Sequence, residues 1–127
     1  KKLDKINTSR SVFEIINPLL GNLSHEEFWV LFLNNSNKIL SKTQLSKGGM
    51  TSTIVDVRIA MKQALEYSAT AIIMVHNHPS GSLRPSKSDI RLTEKFISAA
   101  ESLDIKVLDH IIVTEKDYFS FADESLL

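Results

Sequence analysis

The chain has 127 residues, enough for one ordinary domain whose core needs no staples. Its 15 basic residues balance its 15 acidic ones, and it has no cysteine. There is thus no overall positive field to attract phosphates or an anionic membrane, no disulfide framework and no thiolate zinc finger, so a metal has to be held by imidazole and carboxylate. No apolar run approaches the roughly 18 to 20 residues of a membrane span. Lys1-Lys2 is not followed by an apolar signal core, so the default expectation is a soluble cytoplasmic protein. The absence of an initiator Met suggests a domain excised from a longer chain.

Val12, Ile15, Ile16, Leu19 and Leu20 recur at helical spacing. Ser9 or Ser11 is the expected N-cap, Gly21 the stop, and Pro18 is expected to bend the helix or end it early, so a first helix is placed at about 9–21. The run Phe28-Trp29-Val30-Leu31-Phe32-Leu33, the turn residues Asn34-Asn35-Ser36-Asn37, and a second run from Lys38 to about Lys47 read as a β-hairpin whose first strand is buried on both faces. Gly48-Gly49 reads as a tight turn or bulge, since no Lys-Ser/Thr pattern follows it as in a phosphate-binding loop. Asp56 can cap a helix whose stripe is Val57, Ala60, Met61, Ala64 and Leu65. Ala71 to Val75 is a buried strand, Ser86 opens a helix with the stripe Ile90, Phe96, Ile97 and Ala100, Val107 to Val113 is a strand, and Tyr118 to Phe121 is a short final one. Strands alternating with helices predict a single three-layer α/β domain over residues 1–127, a mixed sheet flanked by helices.

The informative stretch runs from His76 to Asp89, directly after the buried strand. Residues i and i+2 of an extended segment point to one side, so His76 and His78 can present two nitrogens to one ion, while Pro79 stops the strand. Ser86 sits at an N-cap position, and Asp89 falls in the first helical turn with its carboxylate directed back toward the loop. Two neutral imidazoles and one carboxylate on zinc leave one net positive charge and one open position for water. Such a centre lowers the pKa of its water toward about 7 and polarises a carbonyl. The bland reading stands beside this one: His-x-His as two surface histidines, and Ser-x-x-Asp as a helix cap.

These residues resemble the JAMM (MPN+) metalloprotease signature, H-x-H, seven residues, S-x-x-D, met by His76, His78, Ser86 and Asp89. Within that group the chain is similar to the RadC family, through His76-Asn77-His78-Pro79-Ser80-Gly81, Pro85-Ser86, Leu108-Asp109-His110 and Ser120-Phe121, over roughly residues 28–127. The resemblance implies a cytidine-deaminase-like (JAB/MPN) fold, one zinc per chain bound by His76, His78 and Asp89 with water as fourth ligand, and Ser86 as the catalytic residue orienting the reacting carbonyl or its oxyanion. Proteins of the signature add an upstream glutamate as general base. In many RadC-like proteins that acid lies about five residues before the glycine matching Gly48, where this chain has Thr43-Gln44. Loss of a general base costs ~10²- to 10⁴-fold in rate. Glu14, Glu26, Glu27 and Glu66 are the upstream carboxylates that can substitute, each read as a solvated surface acid.

His110, inside an apolar strand, reads as a structural histidine, with a hydrogen bond to a metal ligand or a place among the ligands as the alternatives. His25 reads as loop chemistry, Trp29 and the phenylalanines as packing, and Ser80 lacks a His-Asp relay. Two functions compete. One is a zinc-dependent hydrolase, a metallopeptidase or isopeptidase with a peptide or protein substrate. The other is a non-catalytic zinc-containing binding or scaffold domain associated with DNA or a DNA repair or recombination complex, which the neutral charge does not support. Hydrolysis of a nucleobase is set aside, because that chemistry pairs His-x-Glu with Cys-x-x-Cys.

Overall fold

A computed structural model describes residues 2–48 and 55–127; Gly49 of the expected Gly-Gly turn lies outside them, while Gly48 takes φ +95°. The described elements are α1 (Ser9–Leu20), β1 (Glu27–Leu33), β2 (Ile39–Lys47), α2 (Val57–Glu66), β3 (Ala71–Asn77), α3 (Lys87–Glu101), β4 (Lys106–Val113) and β5 (Tyr118–Ser120). The strands form one mixed sheet in the order β2-β1-β3-β4-β5, with β3 and β4 parallel and the other neighbours antiparallel.

Side-chain alternation along the inner strands divides the core in two. Phe28, Val30 and Phe32 of β1 and Ile72 and Met74 of β3 pack with Ala60 and Met61 of α2 and Leu92, Phe96 and Ala100 of α3. Leu31, Leu33, Ile73, Val75, Ile111 and Val113 face the other way, onto Val12, Phe13, Ile16 and Leu20 of α1. The result is three layers, α1, sheet, and α2 with α3, in which the central strand β3 is buried at all seven positions. Among the described residues, no helix is long and apolar enough to cross a membrane.

Several local expectations are corrected. The N-cap of α1 is Thr8, not Ser9 or Ser11; Ser11 closes a capping box by accepting the Thr8 N–H at 3.1 Å. Pro18 sits inside the last turn and the helix runs on to Leu20. Leu19, Leu65 and Ile90 are exposed, at 43%, 56% and 38%. On α3 the buried stripe is Asp89, Leu92, Thr93, Phe96 and Ala100. Polar residues thus occupy sheet-facing positions of that helix, which an apolar count skips.

One irregularity sets up the site. Ile72 pairs with Val107 but Ile73 pairs with Asp109, so β4 carries one extra residue, Leu108. Such a bulge inverts the alternation of everything beyond it. Asp109 therefore sits on the α1 side, and His110, beside Met74, turns to the face covered by α3.

Candidate metal centre

The β3 strand ends at Asn77 because Pro79 has no amide hydrogen for another ladder bond. The His78 N–H still reaches the Val113 carbonyl at 3.0 Å, and a turn then closes from the Gly81 N–H to the His78 carbonyl at 3.0 Å. Gly81 takes φ +88°, a conformation only glycine adopts at no steric cost. The loop returns to α3, where Ser86 is the N-cap: its Oγ accepts the Asp89 N–H at 3.0 Å, and its own N–H donates to Asp89 Oδ2 at 2.8 Å. This box holds the Asp89 carboxylate against the strand end, in the first turn where the helix dipole favours an anion.

Three ligand residues converge there. His76 Nε2 lies 3.0 Å from His78 Nε2 and 3.3 Å from Asp89 Oδ1, and His78 Nε2 lies 3.4 Å from Asp89 Oδ2. A tetrahedral ion with bonds of ~2.0–2.1 Å spaces its ligand atoms ~3.3–3.4 Å apart, close to the distance from each histidine to its nearer Asp89 oxygen. The cluster is enclosed: His76 is 0% and Asp89 3% exposed. His78 Nδ1 lies 2.8 Å from the Ser82 carbonyl, which only accepts, so Nδ1 carries a proton and Nε2 is the nitrogen that faces the cluster. The cluster can hold a metal ion.

Without an ion, burial pushes the Asp89 carboxyl up, but hydrogen bonds with His76 and His78, and next the charge of His76, outweigh it, holding it well below the usual carboxylate range. Burial pushes the His78 imidazolium down, and its contacts with Asp89 and Ser82 more than reverse this, raising it.

His110 is not a fourth ligand. It lies behind His76, with its Nε2 2.8 Å from His76 Nδ1 and its Nδ1 2.6 Å from Thr93 Oγ1, and it stacks on Phe121 at a centroid distance of 4.6 Å. Burial, and next the neighbouring His76, push its imidazolium well below the ordinary histidine range. Asp109 faces away from the cluster and ties β4 to the chain end, accepting from Ser120 Oγ at 2.6 Å and from the Ala122 N–H at 3.0 Å.

Glu26 and Glu27 are not the solvated pair that their position suggests. Glu27 is 8% exposed; its carboxylate accepts from Trp29 Nε1 at 3.0 Å and meets His25 Nε2 at 2.7 Å. Burial raises the Glu27 carboxyl, but hydrogen bonds from Trp29, His25 and Gln44 together hold it below the usual range. Glu26, half-buried, lines a cleft of about 400 Å³ with His78, Ser80, Ser82, Ser86, Ser88 and Asp89. Thr43 and Gln44 pair with Val30 and Trp29 on β2, and Gln44 serves Glu27 rather than the cleft. Glu14 and Glu66 are surface acids paired with Arg10 and Lys62.

Sequence reasoning also passed over Asn77. Its Oδ1 accepts the Glu27 N–H at 2.8 Å and its Nδ2 donates to the His25 carbonyl at 2.9 Å, clamping the segment that carries Glu26 to the end of β3. A buried-strand run, Ala71 to Val75, that continues into an amide at Asn77 was the available signal.

A family model described as the RadC-like JAB domain matches residues 6–126. The chain is 58% identical over 125 residues to a UPF0758 protein of Flavobacterium johnsoniae, and 48% identical over 125 residues to one of Porphyromonas gingivalis, covering 98% of this chain and 55% of each relative. A UPF0758 protein of the archaeon Methanosarcina mazei is 38% identical over 123 residues, covering 97% of this chain and 54% of that protein. The chain thus spans about half the length of the curated relatives it matches.

Proposed function

The chain belongs to the RadC-like JAB domain family, and from that membership we propose that it is a zinc-dependent hydrolase, a metallopeptidase or isopeptidase acting on a peptide or protein chain. The observation that carries the reading is the convergence of His76 Nε2, His78 Nε2 and the Asp89 carboxylate, with neighbouring contacts of 3.0–3.4 Å, beside a cleft that holds a further acid. His76, His78 and Asp89 would hold the ion, and two imidazoles with one carboxylate are a donor set that suits zinc. When bound, the ion lowers the pKa of its water and polarises the scissile carbonyl.

The residues divide the remaining work. Glu26, from the cleft wall, takes the proton of the attacking water and returns it to the leaving amine, the role that Thr43 and Gln44 cannot fill. The Ser86 hydroxyl accepts from the Asp89 N–H, which leaves its own proton free to donate to the oxygen that becomes negative. Asn77 keeps the Glu26 segment in register with the histidines.

Purification of the wild type, Asp89→Ala and Glu26→Gln without added metal, followed by elemental analysis and a cleavage assay on peptide and isopeptide substrates, tests the proposal. About one zinc per wild-type chain, far less in Asp89→Ala, and zinc retained but rate lowered ~10²- to 10⁴-fold in Glu26→Gln are the expected results. No zinc in the wild type even after the metal is offered would sink the reading. A zinc-loaded wild type that cleaves nothing would favour the scaffold function, for which a chain with 15 cationic and 15 anionic residues offers DNA no net attraction.

A further inference from the structure

Behind the ligand cluster runs a chain of contacts that the proposed reaction does not use. Thr93 Oγ1 lies 2.8 Å from the Asp89 backbone carbonyl and 2.6 Å from His110 Nδ1, and His110 Nε2 lies 2.8 Å from His76 Nδ1. All of these groups are buried: Thr93 is 1% exposed and both histidines are 0% exposed.

We infer that Thr93 and His110 are positioning residues that hold a proton on His76 Nδ1, and so keep Nε2 as the nitrogen that faces the ion site. The inference rests on the metal reading for its purpose, but the proton positions behind His76 follow from the contacts alone. A carbonyl oxygen only accepts, so the contact with Asp89 is a hydrogen bond only if Thr93 donates its single hydroxyl proton there. Thr93 Oγ1 must then accept from His110 Nδ1–H. A neutral imidazole protonated on Nδ1 has its lone pair on Nε2, which accepts from His76 Nδ1–H. His76 is thereby held through Nδ1–H, and Nε2 is the nitrogen that faces His78 and Asp89. The opposite direction leaves two oxygen lone pairs opposed at 2.8 Å and takes the proton from His76 Nδ1.

The Leu108 bulge is what makes this possible, since without it His110 would point toward α1. Thr93 lies one helical turn beyond Asp89, so α3 supplies both a ligand and the anchor that orients another ligand. Hydrogen bonds of this kind behind a metal ligand are worth ~10- to 100-fold in metal affinity.

The test uses the metal-free protein labelled with ¹⁵N at histidine, whose long-range imidazole correlations report which ring nitrogen carries the proton. Wild type is expected to show Nδ1–H on both His76 and His110. Thr93→Val, which keeps the shape and removes the acceptor, is expected to move the His110 proton to Nε2, drive His76 toward Nε2–H, and lower zinc affinity ~10- to 100-fold; Thr93→Ser is expected to restore both. A purely structural threonine would not change the tautomer. Nε2–H on His110 in the wild type, or wild-type tautomers and affinity in Thr93→Val, would overturn the inference. A wild type with the stated tautomers that binds no zinc would instead overturn the hydrolase reading and leave the lock standing.

Discussion

Replacing Asn77 by leucine probes the joint between the sheet and the segment that carries Glu26. The amide is 1% exposed and makes two hydrogen bonds, accepting from the Glu27 N–H at 2.8 Å and donating to the His25 carbonyl at 2.9 Å. Leucine has a similar size and no polar atom, so the volume is conserved and both backbone groups lose their partner. Each such group left unpaired in the interior costs ~1–3 kcal/mol, so Asn77→Leu is expected to lose ~2–6 kcal/mol. That is a large part of the ~5–15 kcal/mol that holds a domain of this size together. Urea unfolding at neutral pH, followed by the fluorescence of the single tryptophan, Trp29, measures it. With the clamp gone, zinc content should stay near wild type while turnover falls, because the joint holds Glu26 and not the ligands. A loss below ~0.5 kcal/mol would refute the reasoning, since it would mean that the two bonds contribute nothing net.

Glu27→Gln keeps the shape of a side chain whose carboxyl is held below its ordinary value of 4.5 in the folded state. A depressed carboxyl stabilises the fold fully above its unfolded value and loses that contribution as pH falls through the folded value. The stability gap between wild type and Glu27→Gln is therefore expected to be widest at neutral pH and to close below pH 4.5, and a gap that grows on acidification would contradict the assignment. Ser86→Ala removes the N-cap of α3 and the hydroxyl facing the cleft. Stability is expected to fall by ~1 kcal/mol and turnover ~10²- to 10³-fold with zinc retained, as read by unfolding, kinetics and elemental analysis; an unchanged rate would reduce Ser86 to a cap.

The site was only partly legible. His76, His78 and Asp89 could be singled out because a strand period, a proline and a helix cap are local rules, each operating within a few residues. The structure brings their ligand atoms within 4.8 Å of one another. Glu26 and Glu27 were misread because adjacent acids ahead of an apolar run look alike in sequence, whereas in the structure Glu26, just before β1, lines the cleft and Glu27, its first residue, meets Trp29. Thr93 was missed and Ile90 chosen because an apolar count assigns polar residues to the solvent face, and on α3 they face a polar site inside the core.

What the sequence determined by itself were the short-range features: the order of helices and strands, the burial of Ala71 to Val75, the turn at Pro79, and a carboxylate one helical turn from its cap. Tertiary structure alone decided which distant segments meet. The Leu108 bulge turns His110 toward His76, Asn77 clamps Glu26 to the cleft, and α3 brings Thr93 under both. The physical reason is that one extra residue in a strand inverts the face of every side chain beyond it, and that change is defined only against the register of a neighbouring strand.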